Sequence, residues 1–364
     1  MKPGDANSSS PIPSALLHRN LNINPHIVSS ASGSYVTMST GQRILDATCG
    51  AAVSCLGHGN ARVQAAMAAQ LDQVAYCLTL MFGTAAAEEL AHEVIAGTGG
   101  EMSRLYVVCS GSEAMDAAMK MARQYFLELP EPQPQRTRFI AREQSYHGTT
   151  LGPLGLGGHT MRRKPFEPLL SSNCSRVSAC YAYRGMKEGE SEEQYVVRLA
   201  EELDAEFQRV GPETVCAFVA EPVVGAALGC VPCVPGYFKA MKEVCDRYGA
   251  LLVMDEIMCG MGRSGTLHAW QDPAVGVVPD IQTVGKGLGG GFAPVAGVLA
   301  SKKVMSVFEK GTGAFVHGQT YQGHPLSCSA ALAVQKEMKE KNLVSNVAEL
   351  GVLFEKLLKE KVIK

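Results

Sequence analysis

Short aliphatic runs alternate along this chain with stretches of helical spacing, and that alternation limits the fold more than any other feature. "RLYVVCS" (104–110) precedes "EAMDAAMKMARQYF" (113–126), "TRFIARE" spans 137–143, and "VCAFVAEPVV" (215–224) precedes "YFKAMKEVCDRYG" (237–249). "LLVMDEI" (251–257), "DIQTVG" (280–285) and "VAGVLAS" (295–301) complete the series. Apolar strands bounded by Gly and Pro, with amphipathic helices between them, predict an α/β fold with a largely parallel sheet covered on both faces. Ligands in such folds bind at the carboxyl ends of the strands, so polar motifs are expected there.

With 364 residues there is ample chain for a large domain and an appendage. The net charge of -2 offers no basic excess for nucleic acid, and 46% hydrophobic with 19% charged residues is an ordinary globular balance. No apolar run reaches the ~18 residues of a membrane span. "MKPGDANSSSPIPSALLHRN" lacks the apolar stretch of a secretory signal, so the expected location is cytoplasmic. Residues 1–20, rich in Ser, Pro and Asn, read as a mobile arm. Twelve scattered cysteines fit a reducing compartment. Cys230 and Cys233 make a C-x-x-C with no second pair, which reads as two small apolar residues in a loop rather than a metal or redox site.

Four features point to chemistry. Lys286 lies in "TVGKGLGGG", a long hydrated side chain directly after a buried run and among glycines that admit close approach. Asp255 ends the run "LLVMD", where a carboxylate is costly unless donors or a cation meet it; Arg263 is the nearby candidate for a purely structural partner. Gly111 and Ser112 fall between a strand and a helix, where free N–H groups and the helix dipole attract an anion; alternatively Ser112 is only an N-cap with Glu113 in the first turn. Tyr146 and His147, in "SYHG", follow a strand, and the tyrosine ring can stack on a flat ligand or lie in the core. An anion cradle, a stacking aromatic, a buried carboxylate and a strand-end lysine together describe a site for pyridoxal 5'-phosphate.

From about residue 40 onward the sequence resembles the class III pyridoxal-phosphate-dependent aminotransferases, the group of the 4-aminobutyrate, ornithine and ω-aminotransferases. The resemblance rests on "LDATCGAAVSCLGHGN", "SGSEAMDAAMKMAR", "SYHG", "AEPVVG", "DEIMCGMGRSG", "TVGKGLGGG" and "TYQGHPLSCSAA" in this order. It implies fold type I, with a mostly parallel seven-stranded sheet in a large domain and a small domain that is incomplete here. The implied division is 1–20 arm, 21–60 contributing to the small domain, 61–330 the catalytic domain and 331–364 the start of the C-terminal small domain. Family members continue past "LGVLFEKLLKEKVIK" into that domain, which commonly supplies an arginine for the substrate carboxylate, and no residue here takes that role.

The same resemblance assigns roles. Lys286 would form the Schiff base, Gly111 and Ser112 would bind the phosphate, and Tyr146, with His147 beside it, would cover the ring. Asp255 would keep the ring nitrogen protonated, and Ile257, two residues on, would pack on the other ring face. Glu221, in "AEPVVG", would stand near the phenolic oxygen, with a charge paired at a strand end as its plainer reading. Met258 occupies a position where many members carry glutamine. Thr320 would reach the phosphate of a neighbouring subunit, implying a homodimer. The expected reaction is ping-pong transfer of an amino group from an amino acid, ω-amino acid or amine to a 2-oxo acid. The alternatives are an aminomutase, racemase or decarboxylase on the same scaffold, or a non-catalytic cofactor-binding protein. A dinucleotide site fails, because no helix with a suitably spaced acidic residue follows "GKGLGGG".

Overall fold

The structure, a computed structural model, describes residues 14–363, so residues 1–13 of the expected arm lie outside the described residues. Strands β1 (Val28–Ser32), β2 (Tyr35–Met38) and β3 (Arg43–Leu45) form a small antiparallel sheet. Helices α1 (Cys49–Ala52), α2 (Ala61–Gln73) and α3 (Ala85–Ala96) lead to β4 (Met102–Val108) and α4 (Gly111–Leu127). Then come β5 (Arg138–Arg142), α5 (Leu151–Leu156), α6 (Thr160–Arg163), β6 (Cys174–Val177), α7 (Ala182–Gly185) and α8 (Glu192–Val210). They are followed by β7 (Val215–Ala220), β8 (Val223–Val224), β9 (Val231–Pro232), α9 (Tyr237–Arg247) and β10 (Leu251–Glu256). The chain continues through β11 (Ile281–Val284), β12 (Ala296–Ser301), α10 (Lys302–Lys310), α11 (Pro325–Glu340) and α12 (Leu343–Lys361).

The central sheet has seven strands in the order β4-β12-β11-β10-β7-β5-β6, as expected. Pairings of β10 with β11 and β7, and of β5 with β7 and β6, are parallel; β12 alone runs against its neighbours β11 and β4. Every residue of β7, β10, β11 and β12 is buried, which explains the apolar sequences of β7, β12 and the first four residues of β10; among the buried polar exceptions are Asp255 and Glu256 of β10 and Gln282 and Thr283 of β11. Side chains alternate between two faces: along β10, Leu251 and Val253 join the core under α4 and α10, whereas Leu252 and Met254 join the core under α8 and α9.

Two expectations need adjustment. The run 215–224 is not one strand: β7 stops at Ala220, and Pro222, which has no N–H to give a ladder, separates it from the short hairpin β8–β9. Edge strand β6 was not expected, because its segment "CSRV" ends in one fully buried aliphatic residue and otherwise offers no apolar run. Cys233 packs into the α8–α9 core while Cys230 is exposed, in keeping with the structural reading of that pair. The anticipated boundary at residue 330 falls inside α11, which packs against both α3 and α2.

Helix ends follow from local chemistry. Ser110 and Glu113 form a reciprocal capping box at the start of α4, Ser191 and Gln194 do the same for α8, and Gly211 (φ 90°) followed by Pro212 ends α8. Phe238, fully buried on α9, fills the α8–α9 core. Phe238→Ala should lower stability by ~3–5 kcal/mol in urea unfolding; a loss below ~1 kcal/mol would show that this layer does not depend on the ring.

Candidate functional site

The carboxyl ends of the parallel strands meet around one cavity of about 470 Å³. The turn from β4 to α4 delivers Ser110, Gly111 and Ser112, the segment after β5 delivers Tyr146 and His147, and the end of β7 delivers Glu221. From β10 come Asp255, Ile257 and Met258, and Lys286 follows β11. All nine sequence-predicted residues of this set line the cavity together with Ser110. Thr320 is exposed and is not part of the cavity wall of its own chain.

The anion cradle differs in one detail from the sequence reading. Ser110, not Ser112, is the N-cap: its Oγ accepts from Glu113 N, while Glu113 accepts from the N–H groups of Cys109 and Ser110. The next two N–H groups, of Gly111 and Ser112, have no hydrogen-bond acceptor among the described residues, and both residues line the cavity at the positive end of a 17-residue helix. Ser112 Oγ instead accepts from Thr149 N at 3.0 Å, tying the "YHG" segment to the cradle. Glycine is required at two points. A Cβ on Gly111 would lie 2.8 Å from Ile257 Cγ2, and one on Gly148 (φ 138°) would lie 2.7 Å from Ser112 Oγ.

Asp255 is buried, and donors from three directions meet its carboxylate. His147 Nδ1 donates to Oδ2 at 2.8 Å, and Thr283 Oγ1 and the Ile257 N–H donate to Oδ1 at 3.2 and 3.1 Å. Thr283 is in place because β10 and β11 are parallel with Asp255 opposite Thr283. Arg263 is therefore not its partner; that guanidinium donates to the Ala52 carbonyl. Glu221 accepts from the N–H groups of Tyr146 (3.0 Å) and Gly225 (3.2 Å), and burial pushes its carboxyl above the usual range. The bonding pattern keeps the structural reading of Glu221 and places it in the cavity as well.

Lys286 sits at φ 42°, a left-handed conformation uncommon for a side-chain-bearing residue, at the start of a short 3₁₀ turn. Burial depresses its ammonium below the ordinary lysine value, opposed by the carboxylates of Asp255 and Glu221. Tyr146 is half-buried, with the Arg162 guanidinium 4.8 Å from its ring centroid. Met258 packs its sulfur against Gly225, where a Cβ would be 2.0 Å away. Sequence reasoning missed Ser110, Gly148 and Thr283; of these, Ser110 was readable from the Ser-x-x-Glu pattern.

These features fit pyridoxal 5'-phosphate: unspent N–H groups for a phosphate, an aromatic and an isoleucine for two ring faces, a carboxylate held by donors, and a half-buried amine. Residues 17–363 match the family described as aminotransferase class-III. An aminotransferase of Gibberella zeae is 56% identical over 347 residues, covering 95% of this chain and 68% of its own length. An uncharacterized aminotransferase of Schizosaccharomyces pombe is 47% identical over 343 residues, 94% of this chain and 74% of its own. Among solved structures, a PLP-bound amine transaminase from an uncultivated Pseudomonas species aligns with a TM-score of 0.88 at 31% identity, covering 99% of this chain and 81% of that one.

Next to Asp255, Glu256 points to the opposite side of β10 and is fully buried. Its oxygens accept from the N–H groups of Ala269 (2.7 Å) and Trp270 (2.8 Å), closing the loop that begins at Ile257. Burial outweighs these bonds and pushes its carboxyl from 4.5 up to about 7. Between those values the folded state holds a proton that the unfolded chain has released. Stability from this group is therefore complete below pH 4.5 and falls as pH rises through 7, by roughly 3 kcal/mol. Urea midpoints at pH 5 and pH 8 should differ less for Glu256→Gln than for the native chain; the same pH dependence in both would exclude Glu256 as its source.

Proposed function

Because this chain belongs to the class III aminotransferases, we propose that Lys286, Asp255 and Glu221 carry its transamination, with pyridoxal 5'-phosphate held by Gly111, Ser112, Tyr146, His147, Ile257 and Met258. The observation that carries this reading is the convergence of Lys286 and the triply hydrogen-bonded Asp255 on one cavity. When bound, the cofactor supplies an electron sink for negative charge on the substrate carbon.

The chain's own residues supply position and proton transfer. The N–H groups of Gly111 and Ser112 would hold the phosphate, with Tyr146 covering one ring face and Ile257 the other. Asp255 would accept from the ring N–H of the cofactor, with its carboxylate oriented by His147 and Thr283. Lys286 Nζ would take the proton from the amino-bearing carbon of the substrate and pass it to the cofactor rather than back to that carbon; its depressed pKa enlarges the neutral, basic fraction. Met258 offers a thioether where an amide would donate, so no protein donor from that position reaches the phenolic oxygen. The amino donor is an amino acid, ω-amino acid or amine and the acceptor a 2-oxo acid, in ping-pong order. The proposed division keeps residues 21–60 and 331–364 for a smaller domain and 61–330 for the catalytic domain, although its second boundary cuts through α11, whose packing on α2 and α3 ties that helix to the catalytic part. The twelve cysteines are all unbridged, which supports a reducing compartment such as the cytoplasm; among the described residues no helix is long and apolar enough to cross a membrane.

A homodimer with shared sites is supported by the segment around Thr320. His317 Nε2, Gln319 Oε1 and His324 Nδ1 are buried there without hydrogen-bond partners among the described residues. Beside them Tyr321 packs on Tyr76, and Leu80, Met81 and Phe82 are exposed. A second copy would cover this apolar face and bring Thr320 to the other subunit's phosphate.

Lys286→Ala should cut turnover by at least ~10²–10⁴-fold at saturating cofactor and abolish borohydride trapping of the cofactor on the chain. A trapped adduct in that variant would assign the chemistry to another amine. Mixing Lys286→Ala chains with Thr320→Ala chains should restore one intact site per heterodimer; activity no higher than the sum of the two separate variants would exclude sharing through Thr320.

A further inference from the structure

Arg142, the last residue of β5, is fully buried, and among the described residues it forms no ion pair. Its Nη2 donates to the Glu221 carbonyl at 2.5 Å, while its Nε is buried with no partner. The rings of Tyr237 and Phe238 lie against the guanidinium, with centroids 5.6 and 5.9 Å from its central carbon. The buried Arg136, by contrast, spends its fork on Gln133, Val215 and Tyr248, and Arg163 spends its own on three carbonyls and Glu167. Replacing a buried charge by a packed apolar side chain is often neutral or stabilising, so stability alone does not account for Arg142. What it touches does.

Its contact is the backbone of a residue in the cavity wall. Strands β5 and β7 are parallel with Ile140 opposite Phe218, so the end of β5 stands beside Ala220 and Glu221. One five-residue stretch then bonds Glu221 twice: the Arg142 side chain holds its carbonyl, and the Tyr146 N–H holds its carboxylate at 3.0 Å. Ser145 Oγ closes that stretch by donating to the Arg142 carbonyl at 2.7 Å. Pro222 follows Glu221 and disfavours helical backbone there. With the backbone so restricted, fixing the carbonyl also fixes the direction in which the side chain leaves the strand.

We propose that Arg142 is a positioning residue for Glu221: the guanidinium anchors the Glu221 carbonyl, directs the carboxyl to the cavity wall and keeps a positive charge behind it. This rests on the reading of Glu221 as part of the transamination machinery and adds the group that orients it. His147, Asp255, Lys286 and Cys259 are the other titratable groups around that carboxyl. Burial raises the Glu221 carboxyl, and Arg142 is among the groups that hold the rise back. A carboxyl raised in the folded state contributes stability that is present below the ordinary carboxylate value and is lost as pH rises through the raised one. Removing the guanidinium enlarges that loss.

The test is a double-mutant cycle of Arg142→Met with Glu221→Gln. Methionine is unbranched and apolar, and removes both the charge and the fork. In Arg142→Met kcat/KM should fall roughly tenfold or more, whereas the same substitution on Glu221→Gln should change it by less than about twofold. Arg142→Lys keeps the charge and a donor and should recover part of the loss. A second readout needs no turnover: the gap between the urea midpoints at pH 5 and pH 8 should widen in Arg142→Met and should not widen when Glu221→Gln is also present. Equal losses of kcat/KM in the two backgrounds, or an unchanged midpoint gap, overturn the proposal and leave Arg142 as a brace between β5 and β7. If Arg142→Met does not fold, Arg142→Lys is carried through the same cycle, where equal losses in both backgrounds again overturn it. If Glu221→Gln alone keeps native turnover, the catalytic reading of Glu221 fails on its own, while the midpoint gap still decides whether Arg142 acts on that carboxyl.

Discussion

A carboxylate at the end of a buried central strand is the constraint around which this molecule is arranged. Asp255 follows four buried aliphatic residues of β10, where an unpaired charge would cost several kcal/mol. Its donors come from separate parts of the chain: a histidine 108 residues before it, a threonine 28 residues after it, and the backbone of its own turn. Satisfying the carboxylate therefore fixes the segment after β5, the register of β10 with β11, and the exit path of β10. Those three segments also carry Tyr146, Lys286 and Ile257. The requirement to hydrogen-bond one buried charge is thus the requirement that assembles the walls of the cavity.

Close backbone approach does the rest. Ile257 fits between Gly111 and Gly285, where added Cβ atoms would lie 2.8 and 3.0 Å from its side chain. That contact binds the end of β10 to the α4 N-terminus on one side and to the lysine turn on the other. Glu256, on the opposite side of the strand, closes the following loop through Ala269 and Trp270. Adjacent residues 255, 256 and 257 thus use the alternation of a strand to organise ligand, loop and helix at once.

The strands that form the site were legible because burial on both faces leaves an unbroken aliphatic signature, as in "LLVM" and "VCAFVA". Lys286 and Asp255 stood out for the complementary reason, as charges where that signature predicts none. Long-range pairing was not legible. No local pattern connects His147 to Asp255, and proximity in sequence favoured Arg263, which the fold turns towards Ala52. At the α4 N-terminus either serine of "SGSE" could cap, and the choice of Ser110 depends on which N–H groups Glu113 can reach. Edge strand β6 carries too few apolar residues to show a period, because only part of it is covered.

The turn at Lys286 shows how distant parts of the chain support the chemistry. A left-handed residue after an extended glycine reverses the chain sharply at the end of β11, and such a conformation persists only where its surroundings over-determine it. Here Leu288 N–H bonds back to Gly285 O at 2.8 Å, and Gly289 and Gly290 both bond to Lys286 O. From α11, the buried Gln335 side chain donates to the carbonyls of Gly287 and Leu288 at 3.1 and 2.8 Å. The Gly287 carbonyl also accepts from the Cys55 thiol at 3.6 Å, but among the described residues the Leu288 carbonyl has only this amide, so Gln335 both satisfies it and holds the strained geometry. The position of α11 is therefore part of what keeps the lysine aimed at the cavity, although no residue of that helix lines it.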